Sequence, residues 1–114
     1  MDDCIFCKIV SGEVKSSKVY EDDYVMAFDD IDPQAPVHVI IIPKKHLESV
    51  QTISNDDAIY LMHIISAAKT IAKNKNVDIS GYRLLTNHGR DGGQSVFHLH
   101  FHLLGGRNLK WPPG

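Results

Sequence analysis

The sequence predicts an α+β domain with a five-stranded antiparallel sheet, one long helix and one short helix. Short segments of alternating apolar and polar residues, separated by turn residues, indicate the strands. A stretch of helical periodicity after Ser54 indicates the long helix. No repeat, linker or low-complexity segment divides the 114 residues, and 43% of them are hydrophobic, which is enough for one packed core. We therefore expect a single domain over residues 1–114.

The first element is a short helix that carries the only two cysteines of the chain, Cys4 and Cys7. It is predicted over residues 4–10 and closed by Ser11-Gly12. A disulfide framework needs more cysteines, a c-type haem site would have histidine at Lys8, and a redox pair usually follows a strand in a βαβ unit. Metal binding remains as the functional interpretation, with two more ligands from distant histidines. The structural alternative is two small residues packed on a helix.

Two short strands and an acidic loop follow. Lys18–Glu21 and residues 24–28 are predicted as a hairpin that turns at Asp22-Asp23. Residues 29–36 hold two prolines and three carboxylates, which predicts a surface loop. Loops that follow strands often carry binding groups, although local sequence slightly favours a solvated charge cluster here.

A buried strand and the long helix come next. Residues 38–43 are almost continuously apolar, which is typical of a strand buried on both faces, with His38 at its polar end. Ser54 can cap the helix, and acidic residues in its first turn suit the helix dipole. His63 lies off the apolar stripe and is expected at the surface. The predicted core stripe is Ala58, Leu61, Met62, Ile65, Ala68 and Ala72.

The last two predicted strands flank a glycine-rich loop. Residues 82–87 form one strand, and the three glycines of residues 88–95 could offer N–H groups to an anion. The other strand, residues 95–104, alternates histidines with apolar residues, so that the histidines share one face and the apolar residues fill a core. Imidazole titrates near neutrality, ligates metals and attacks phosphorus, so such a row indicates chemistry or a metal. The histidines are His98, His100 and His102, and the apolar residues are Leu99, Phe101 and Leu103.

Charge and hydropathy exclude several classes of function. A formal net charge of −2 gives no basic surface for nucleic acid, and no apolar run approaches the ~20 residues of a membrane span. Met1-Asp2-Asp3 lacks the basic start of a signal peptide. We therefore expect a soluble, cytoplasmic protein without nucleic-acid or membrane partners. The tail ends in Trp111-Pro112-Pro113-Gly114, and this tryptophan should pack on the same chain or on a partner.

Six islands of sequence resemble the histidine-triad (HIT) superfamily. Residues 98–104 match its motif His-x-His-x-His-x-x, in which x is apolar. The likeness extends in order over nearly the whole chain to the Hint branch of the superfamily. The other islands are Ile5-Phe6 with Lys8-Ile9, Asp30-Ile31 with Pro33-Gln34-Ala35-Pro36, Ile42-Pro43-Lys44-Lys45-His46, Asp91-Gly92-Gly93-Gln94-Ser95, and Gly105-Gly106-Arg107 through Trp111-Pro112-Pro113-Gly114.

The resemblance implies a homodimeric hydrolase that binds purine nucleotides resembling AMP and cleaves nucleoside 5′-phosphoramidates and related nucleotidyl conjugates without a catalytic cofactor. His100 corresponds to the nucleophile that carries the nucleotidyl group, and His102 to the group that contacts the phosphate and assists the leaving group. Asp30 would hold the ribose hydroxyls. The remaining implied roles are phosphate or leaving-group contacts for Ser95 and Asn87, base-pocket walls for Phe6, Ile9 and Ile31, and a fourth catalytic histidine for His38. From the chemistry alone, the backbone N–H groups of Gly92 and Gly93 could stabilise the charge that develops on the phosphate.

The chain departs from the Hint pattern at two places. His88 and Arg90 stand where that pattern has an acidic and a small residue, close to where a leaving group would exit. The other departure is the cysteine pair. Other members of the superfamily hold zinc with two cysteines, the histidine after the Pro-Lys-Lys-like turn and the first triad histidine. The resemblance thus implies structural zinc on Cys4, Cys7, His46 and His98.

Three alternatives to phosphoramidate hydrolysis stay open. Within the enzyme class, diadenosine polyphosphate cleavage is the second candidate. A metalloenzyme would also use alternating histidines to hold a catalytic metal, although no carboxylate lies within the triad. A nucleotide sensor or interaction protein would keep the pocket and show little turnover.

Overall fold

The computed structural model describes residues 3–114 and confirms the α+β class. Within these residues, five strands form one antiparallel sheet in the order β1-β2-β3-β5-β4. Met1 and Asp2, on which the signal-peptide argument partly rests, lie outside the described residues. The strands are β1 (Lys18–Glu21), β2 (Val25–Asp29), β3 (Val37–Pro43), β4 (Tyr82–Thr86) and β5 (Phe101–Gly105). The helices are α1 (Ile5–Ser11) and α2 (Ala58–Asn74), and a 3₁₀ turn over Asn55–Asp57 precedes α2.

Helix α1 begins and ends with recognisable caps. The Sγ of Cys4 accepts a hydrogen bond from the N–H of Cys7, and Gly12 takes the left-handed φ of 85° that closes the helix. Phe6 and Ile9 face the sheet and are buried. They join an apolar cluster whose sheet members are Met26, Phe28, Ile40 and Ile42. Helix α1 therefore covers one face of the sheet.

Helix α2 covers the opposite face, and its predicted core stripe was partly wrong. Met62 is 62% exposed and Ile65 is 44% exposed, and Ala58 is exposed as well. The helix carries two apolar stripes, and the buried one contains three alanines, which let the helix axis approach the sheet closely. The buried residues of α2 are Ile64, Ala67, Ala68, Ile71 and Ala72, with Leu61 partly buried. None of the described helices is long and apolar enough to cross a membrane.

The histidine strand is shorter than predicted. The strand β5 begins only at Phe101, so His98 and His100 lie in an extended segment before it. Here the backbone bonds to partners outside a regular ladder, since the Oγ1–H of Thr86 donates to the His100 carbonyl. Leu99 and Leu103 are buried and Phe101 is partly buried, as expected. The alternation of side chains thus holds although the regular pairing does not.

Candidate functional site

Histidines of β3 and β5 lie side by side on the sheet face that carries α1. In the register, Ile40 is opposite His102 and His38 is opposite Leu104. Directly opposed residues of antiparallel strands project to the same face, so His38 and His102 are diagonal neighbours. The Nε2 of His38 lies 2.8 Å from Nδ1 of His102, and 3.3 Å from Oδ2 of Asp30. A carboxylate and two imidazoles therefore form a continuous polar row.

Hydrogen-bond partners assign the proton positions of His38 and His102. The N–H of Gln34 donates to Nδ1 of His38 at 3.0 Å, so neutral His38 carries its proton on Nε2. That proton is donated to Nδ1 of His102, so neutral His102 carries its own proton on Nε2. Burial, with the neighbouring imidazoles His100 and His38, lowers the pKa of His102 to about 4. His102 is therefore neutral at pH 7, and its remaining donor is Nε2–H.

His100 has the opposite tautomer. Its Nδ1 lies 2.8 Å from the carbonyl oxygen of His98, which can only accept, so the proton is on Nδ1 and Nε2 keeps a free lone pair. Burial lowers the pKa of His100 below its ordinary value, which keeps the ring neutral near pH 7. The rings of His100 and His102 lie 5.1 Å apart. A nucleophilic nitrogen and an N–H donor thus come from adjacent imidazoles.

Helix α1 supports the row through Phe6. The ring of Phe6 meets His100 edge-on at 5.1 Å and His98 at 5.8 Å. Phe6 also packs edge-on against Phe28 at 5.7 Å. Because Phe6 is buried, the position of α1 determines the packing around both histidines.

A second group of side chains meets at the start of α1. Cys4, Cys7, His46 and His98 each place one ligand atom within 4.8 Å of the others. The sulfurs of Cys4 and Cys7 lie 3.4 and 3.6 Å from Nδ1 of His98. The sulfur of Cys7 lies 3.3 Å from Nδ1 of His46. We refer to these four residues as the cysteine–histidine cluster.

The cysteine–histidine cluster fits a tetrahedral metal ion. Metal–ligand bonds of about 2.0–2.3 Å separate the ligand atoms of a tetrahedron by roughly 3.3–3.8 Å, which matches the three distances above. The Nε2–H of His98 donates to the Pro43 carbonyl at 2.9 Å, so its Nδ1 lone pair faces the sulfurs. Burial lowers the pKa of His98 to about 4, which favours the neutral, ligating form. Burial and the adjacent Cys4 raise the pKa of Cys7 to about 11, so a thiolate there needs a cation beside it.

Asp30, His38 and His102 also lie within 4.8 Å of one another, but their protons disfavour a metal. A metal held by Nε2 of His38 would require the proton to move to Nδ1. That nitrogen would then face the N–H of Gln34, which cannot accept a hydrogen bond. This arrangement therefore favours a hydrogen-bonded row and argues against a metal held jointly by Asp30, His38 and His102.

The glycine-rich loop is closed by its own hydrogen bonds. The N–H of Gly93 donates to the Arg90 carbonyl at 3.1 Å, so this amide already has a partner within the loop. Gln94, which the sequence did not single out, accepts from the N–H of Gly89 and donates to the carbonyls of Glu48 and Val96. At Gly92 a Cβ would lie 2.3 Å from the His88 carbonyl oxygen, so the close turn requires glycine.

The two loop residues that depart from the Hint pattern, His88 and Arg90, differ in their surroundings. The Nδ1 of His88 lies 2.9 Å from Oγ of the buried Ser49, which anchors one end of the loop. The side chain of Arg90 is 93% exposed and pairs only with the equally exposed Asp91 among the described residues. His88 is thus held in place, while Arg90 projects into solvent.

The predicted base-pocket and phosphate residues are not brought into one enclosed pocket. Phe6 and Ile9 are buried in the core beneath α1, whereas Ile31 is fully exposed on the acidic loop. Asn87 is half-buried just after β4, and Ser95 is exposed.

Three residues that orient the row were missed by the sequence reasoning. Gln34 acts through its backbone N–H and Pro43 through its backbone C=O, so the type of side chain at these positions does not reveal the role. Thr86 holds the His100 carbonyl at 2.7 Å, and a threonine at a strand end is common for other reasons. Only the fold shows that these groups meet the histidines.

Comparison with known proteins agrees with this geometry. Residues 11–109 match the HIT domain. A HIT-like protein of Synechocystis, itself uncharacterised, is 46% identical over 99% of this chain and 98% of its own length. The crystal structure of a HIT family hydrolase from Legionella pneumophila superposes with a TM-score of 0.96, at 47% identity over 98% of this chain and all of that one. A histidine triad nucleotide-binding protein from Candida albicans superposes with a TM-score of 0.82, at 38% identity over 96% of this chain and 83% of that one. This chain belongs to the HIT domain family and has the fold of the HIT family hydrolases.

Proposed function

We propose that this protein binds purine nucleotides and hydrolyses nucleoside 5′-phosphoramidates and related nucleotidyl conjugates through a nucleotidyl-histidine intermediate on His100. The observation that carries the proposal is the pair of opposite tautomers. His100 has a free Nε2 lone pair, and the neighbouring His102 has an Nε2–H donor. A nucleophile and a donor on adjacent neutral imidazoles are what attack on a phosphoryl group requires near pH 7.

The proposed reaction has two displacements at phosphorus. Nε2 of His100 attacks the α-phosphorus, and the phosphorus–nitrogen bond breaks. As positive charge develops on the His100 ring, its Nδ1–H donates more strongly to the His98 carbonyl. The Nε2–H of His102 donates a hydrogen bond to the leaving nitrogen or to a phosphoryl oxygen, and the nitrogen leaves as an amine after taking a proton from solvent. Water then displaces His100, so the full cycle adds hydroxyl to phosphorus and hydrogen to nitrogen.

Asp30 is proposed to hold the ribose hydroxyls at one end of the row. Its Oδ1 accepts the N–H of Asp32 at 2.8 Å, which orients the carboxylate, and its side chain is only 17% exposed. Ser95 and Asn87 are proposed to contact the phosphate or the leaving group from the other end. The Candida albicans relative is a histidine triad nucleotide-binding protein, which supports the proposal of nucleotide recognition.

We also propose a structural zinc ion on Cys4, Cys7, His46 and His98. Two thiolates and two imidazoles suit zinc better than magnesium or calcium. The ion would supply no catalytic chemistry and would tie α1 to the sheet. The distances and the tautomer of His98 support this assignment.

A homodimer is proposed for the working form. The strand β4 lies at the edge of the sheet and leaves a row of backbone groups available for pairing. The outer stripe of α2 exposes Ile59, Met62 and Ile65. Trp111 is 81% exposed, so it does not pack on its own chain, and packing on a partner remains the other expectation. A second copy would cover such surfaces.

The experiment that tests the function compares wild type with His100→Asn. We expect turnover of adenosine 5′-phosphoramidate to fall by several powers of ten, because water rarely rescues a lost nucleophile. AMP binding, measured by calorimetry, should stay within roughly tenfold of wild type, about 1.4 kcal/mol. His63→Asn is the matched control and should keep turnover, since His63 lies on α2 at the other face.

Substrate comparison separates the remaining candidates. A phosphoramidate turned over faster than a diadenosine polyphosphate would support the proposal, and the reverse order would favour the dinucleotide hydrolase. AMP binding without turnover of either compound would make the protein a nucleotide sensor. Near-normal turnover by His100→Asn would overturn the assignment of the nucleophile.

A further inference from the structure

The two cysteines are placed for reaction with each other as well as for holding a metal. Cys4 caps α1, and the N–H of Cys7 donates to its sulfur at 3.3 Å, so both thiols leave the same side of the first helical turn. Both sulfurs approach Nδ1 of His98. They lie within 4.8 Å of each other, and rotation about two side-chain bonds can bring them together.

A small solute can reach this pair from outside. A cavity of about 420 Å³ lies beside the start of α1, and its wall includes Cys4 and His46. Residues 95–97 also line this cavity, and Phe97 is 58% exposed. Both cysteines are half-buried and free. Cys4 therefore meets a solvent-connected space, while Cys7 lies behind it against His46.

We propose that Cys4 and Cys7 form an oxidation site at which hydrogen peroxide converts the dithiol to a disulfide. Formation of this disulfide releases the metal and loosens the packing of α1 against His98 and His100. Cys4 is the thiol that meets the peroxide, and Cys7 is the resolving thiol. This role differs from that of a disulfide oxidoreductase, because the substrate is the protein's own pair.

The chemistry balances in two steps. The Cys4 sulfur attacks one peroxide oxygen, the O–O bond breaks, and the product is a sulfenic acid and one water. The Cys7 sulfur then attacks the Cys4 sulfur, the S–O bond breaks, and a second water leaves. Two thiols lose two electrons and two protons, and one peroxide is reduced to two waters. From metal-bound thiolates, Zn²⁺ is released and two hydroxides form in place of the waters.

Oxidation would reach the imidazole row through two residues. A disulfide sulfur is a poor metal ligand, so His46 and His98 alone could not retain zinc. His98 would then lose its two sulfur partners. Because the carbonyl of His98 orients His100, a shift of His98 would also move His100. Phe6, between the two cysteines in sequence, packs against both His98 and His100. The oxidation state of Cys4 and Cys7 is thereby coupled to the position of His100, the proposed nucleophile.

The test treats zinc-loaded full-length protein with a small molar excess of hydrogen peroxide. Trypsin releases residues 1–8 as one peptide that contains both cysteines, and its mass should fall by two hydrogens. A chromophoric chelator should detect one zinc released per chain, and dithiothreitol should restore both thiols. Phosphoramidate turnover should fall at least tenfold on oxidation and recover on reduction. The turnover readout rests on the proposed function, whereas the mass and zinc readouts do not.

Two single-cysteine variants separate the roles. Cys7→Ser keeps the reactive thiol without a resolving partner, so dimedone should trap a sulfenic acid on Cys4. Cys4→Ser should react with dimedone at least tenfold less than Cys7→Ser. Zinc-loaded wild type that keeps both thiols and its zinc would overturn the proposal. Over-oxidation of Cys4 without a disulfide would overturn the resolving role of Cys7, and unchanged turnover of the oxidised form would overturn the coupling, provided that the reduced protein is active.

Discussion

His98 joins the two halves of the site through its side chain and its backbone. Its Nδ1 lies 3.4 Å from the sulfur of Cys4, and its carbonyl oxygen lies 2.8 Å from Nδ1 of His100. The first contact belongs to the cysteine–histidine cluster and the second fixes the tautomer of the proposed nucleophile. A change in the cysteine–histidine cluster is therefore expected to affect His100, which lies two residues after His98.

Zinc should be bound at one ion per chain and should stabilise the fold. Changing His46 to Ala removes one ligand, so we expect zinc content to fall well below one per chain. The free energy of unfolding should fall by on the order of 2 kcal/mol, which lowers Tm by roughly 8 °C. Metal analysis of protein purified without a histidine tag, with thermal unfolding, checks this. Lys69→Ala, at an exposed position of α2, is the control, and wild type with far less than one zinc would contradict the assignment.

Asp22 should make stability fall in acid. Burial opposes its charge, but hydrogen bonds from His63, from the N–H groups of Tyr24 and Val25 and from the Tyr20 hydroxyl outweigh burial and lower the pKa of Asp22 to about 2. A carboxyl whose folded pKa lies below its unfolded value of 3.8 stabilises the fold above that value and loses this contribution as pH falls toward 2.

Asp22→Asn should therefore lower the free energy of unfolding by about 1–2 kcal/mol at pH 7, and the difference should shrink as pH approaches 2. Urea unfolding at several pH values measures it. Asp23→Asn, at the exposed neighbouring position, is the control. A difference from wild type that is the same at pH 7 and pH 2 would exclude the ionised carboxylate as the cause.

His38 should set the tautomer of His102. Replacing His38 with Phe removes the donor to Nδ1 of His102, so the His102 proton is expected to redistribute between its two nitrogens. Nitrogen-15 NMR of the imidazoles reports this directly, and turnover should fall about 10–100-fold because the Nε2–H donor is no longer fixed. Gln34→Ala keeps the backbone N–H that orients His38 and should change neither quantity. An unchanged His102 spectrum in His38→Phe would refute the assigned row.

The dimer should depend on the outer stripe of α2. Met62→Glu places a charge in the exposed apolar stripe, so the dimer dissociation constant should rise at least tenfold, about 1.4 kcal/mol. Ile79→Glu, at a 93% exposed position outside the helix, is the control. Sedimentation at micromolar concentration measures both variants. Wild type that sediments only as a monomer would remove the basis for a shared interface.

The sequence predicted the elements well where a local pattern was unambiguous. The hairpin, the buried strand ending at Pro43 and the helix after Ser54 follow alternation, continuous apolarity and capping, and the structure has all three. The core stripe of α2 failed because that helix has two apolar stripes, and periodicity alone does not say which one faces the sheet. The predicted start of β5 was wrong because His100 makes hydrogen bonds through its side chain and its carbonyl to groups outside the sheet ladder.

The candidate site was predictable in its residue types but not in its proton positions. Alternation placed three imidazoles on one face, and the resemblance to the HIT superfamily implied a set of four metal ligands at distant positions. The structure brings Cys4, Cys7, His46 and His98 together, as a ligand set requires. The tautomers depend on backbone groups of Gln34, Pro43 and His98, which only the folded chain supplies.

The central claim is that His100 carries the nucleotidyl group. Acid quenching would destroy a phosphorus–nitrogen bond to histidine, so wild type should be mixed with adenosine 5′-phosphoramidate, quenched in base and analysed by intact mass and peptide mapping. The account predicts an adenylyl adduct on His100 in wild type and none in His100→Asn. Phosphoramidate turnover in wild type with no adduct at any quench time, or an adduct on another histidine, would contradict it.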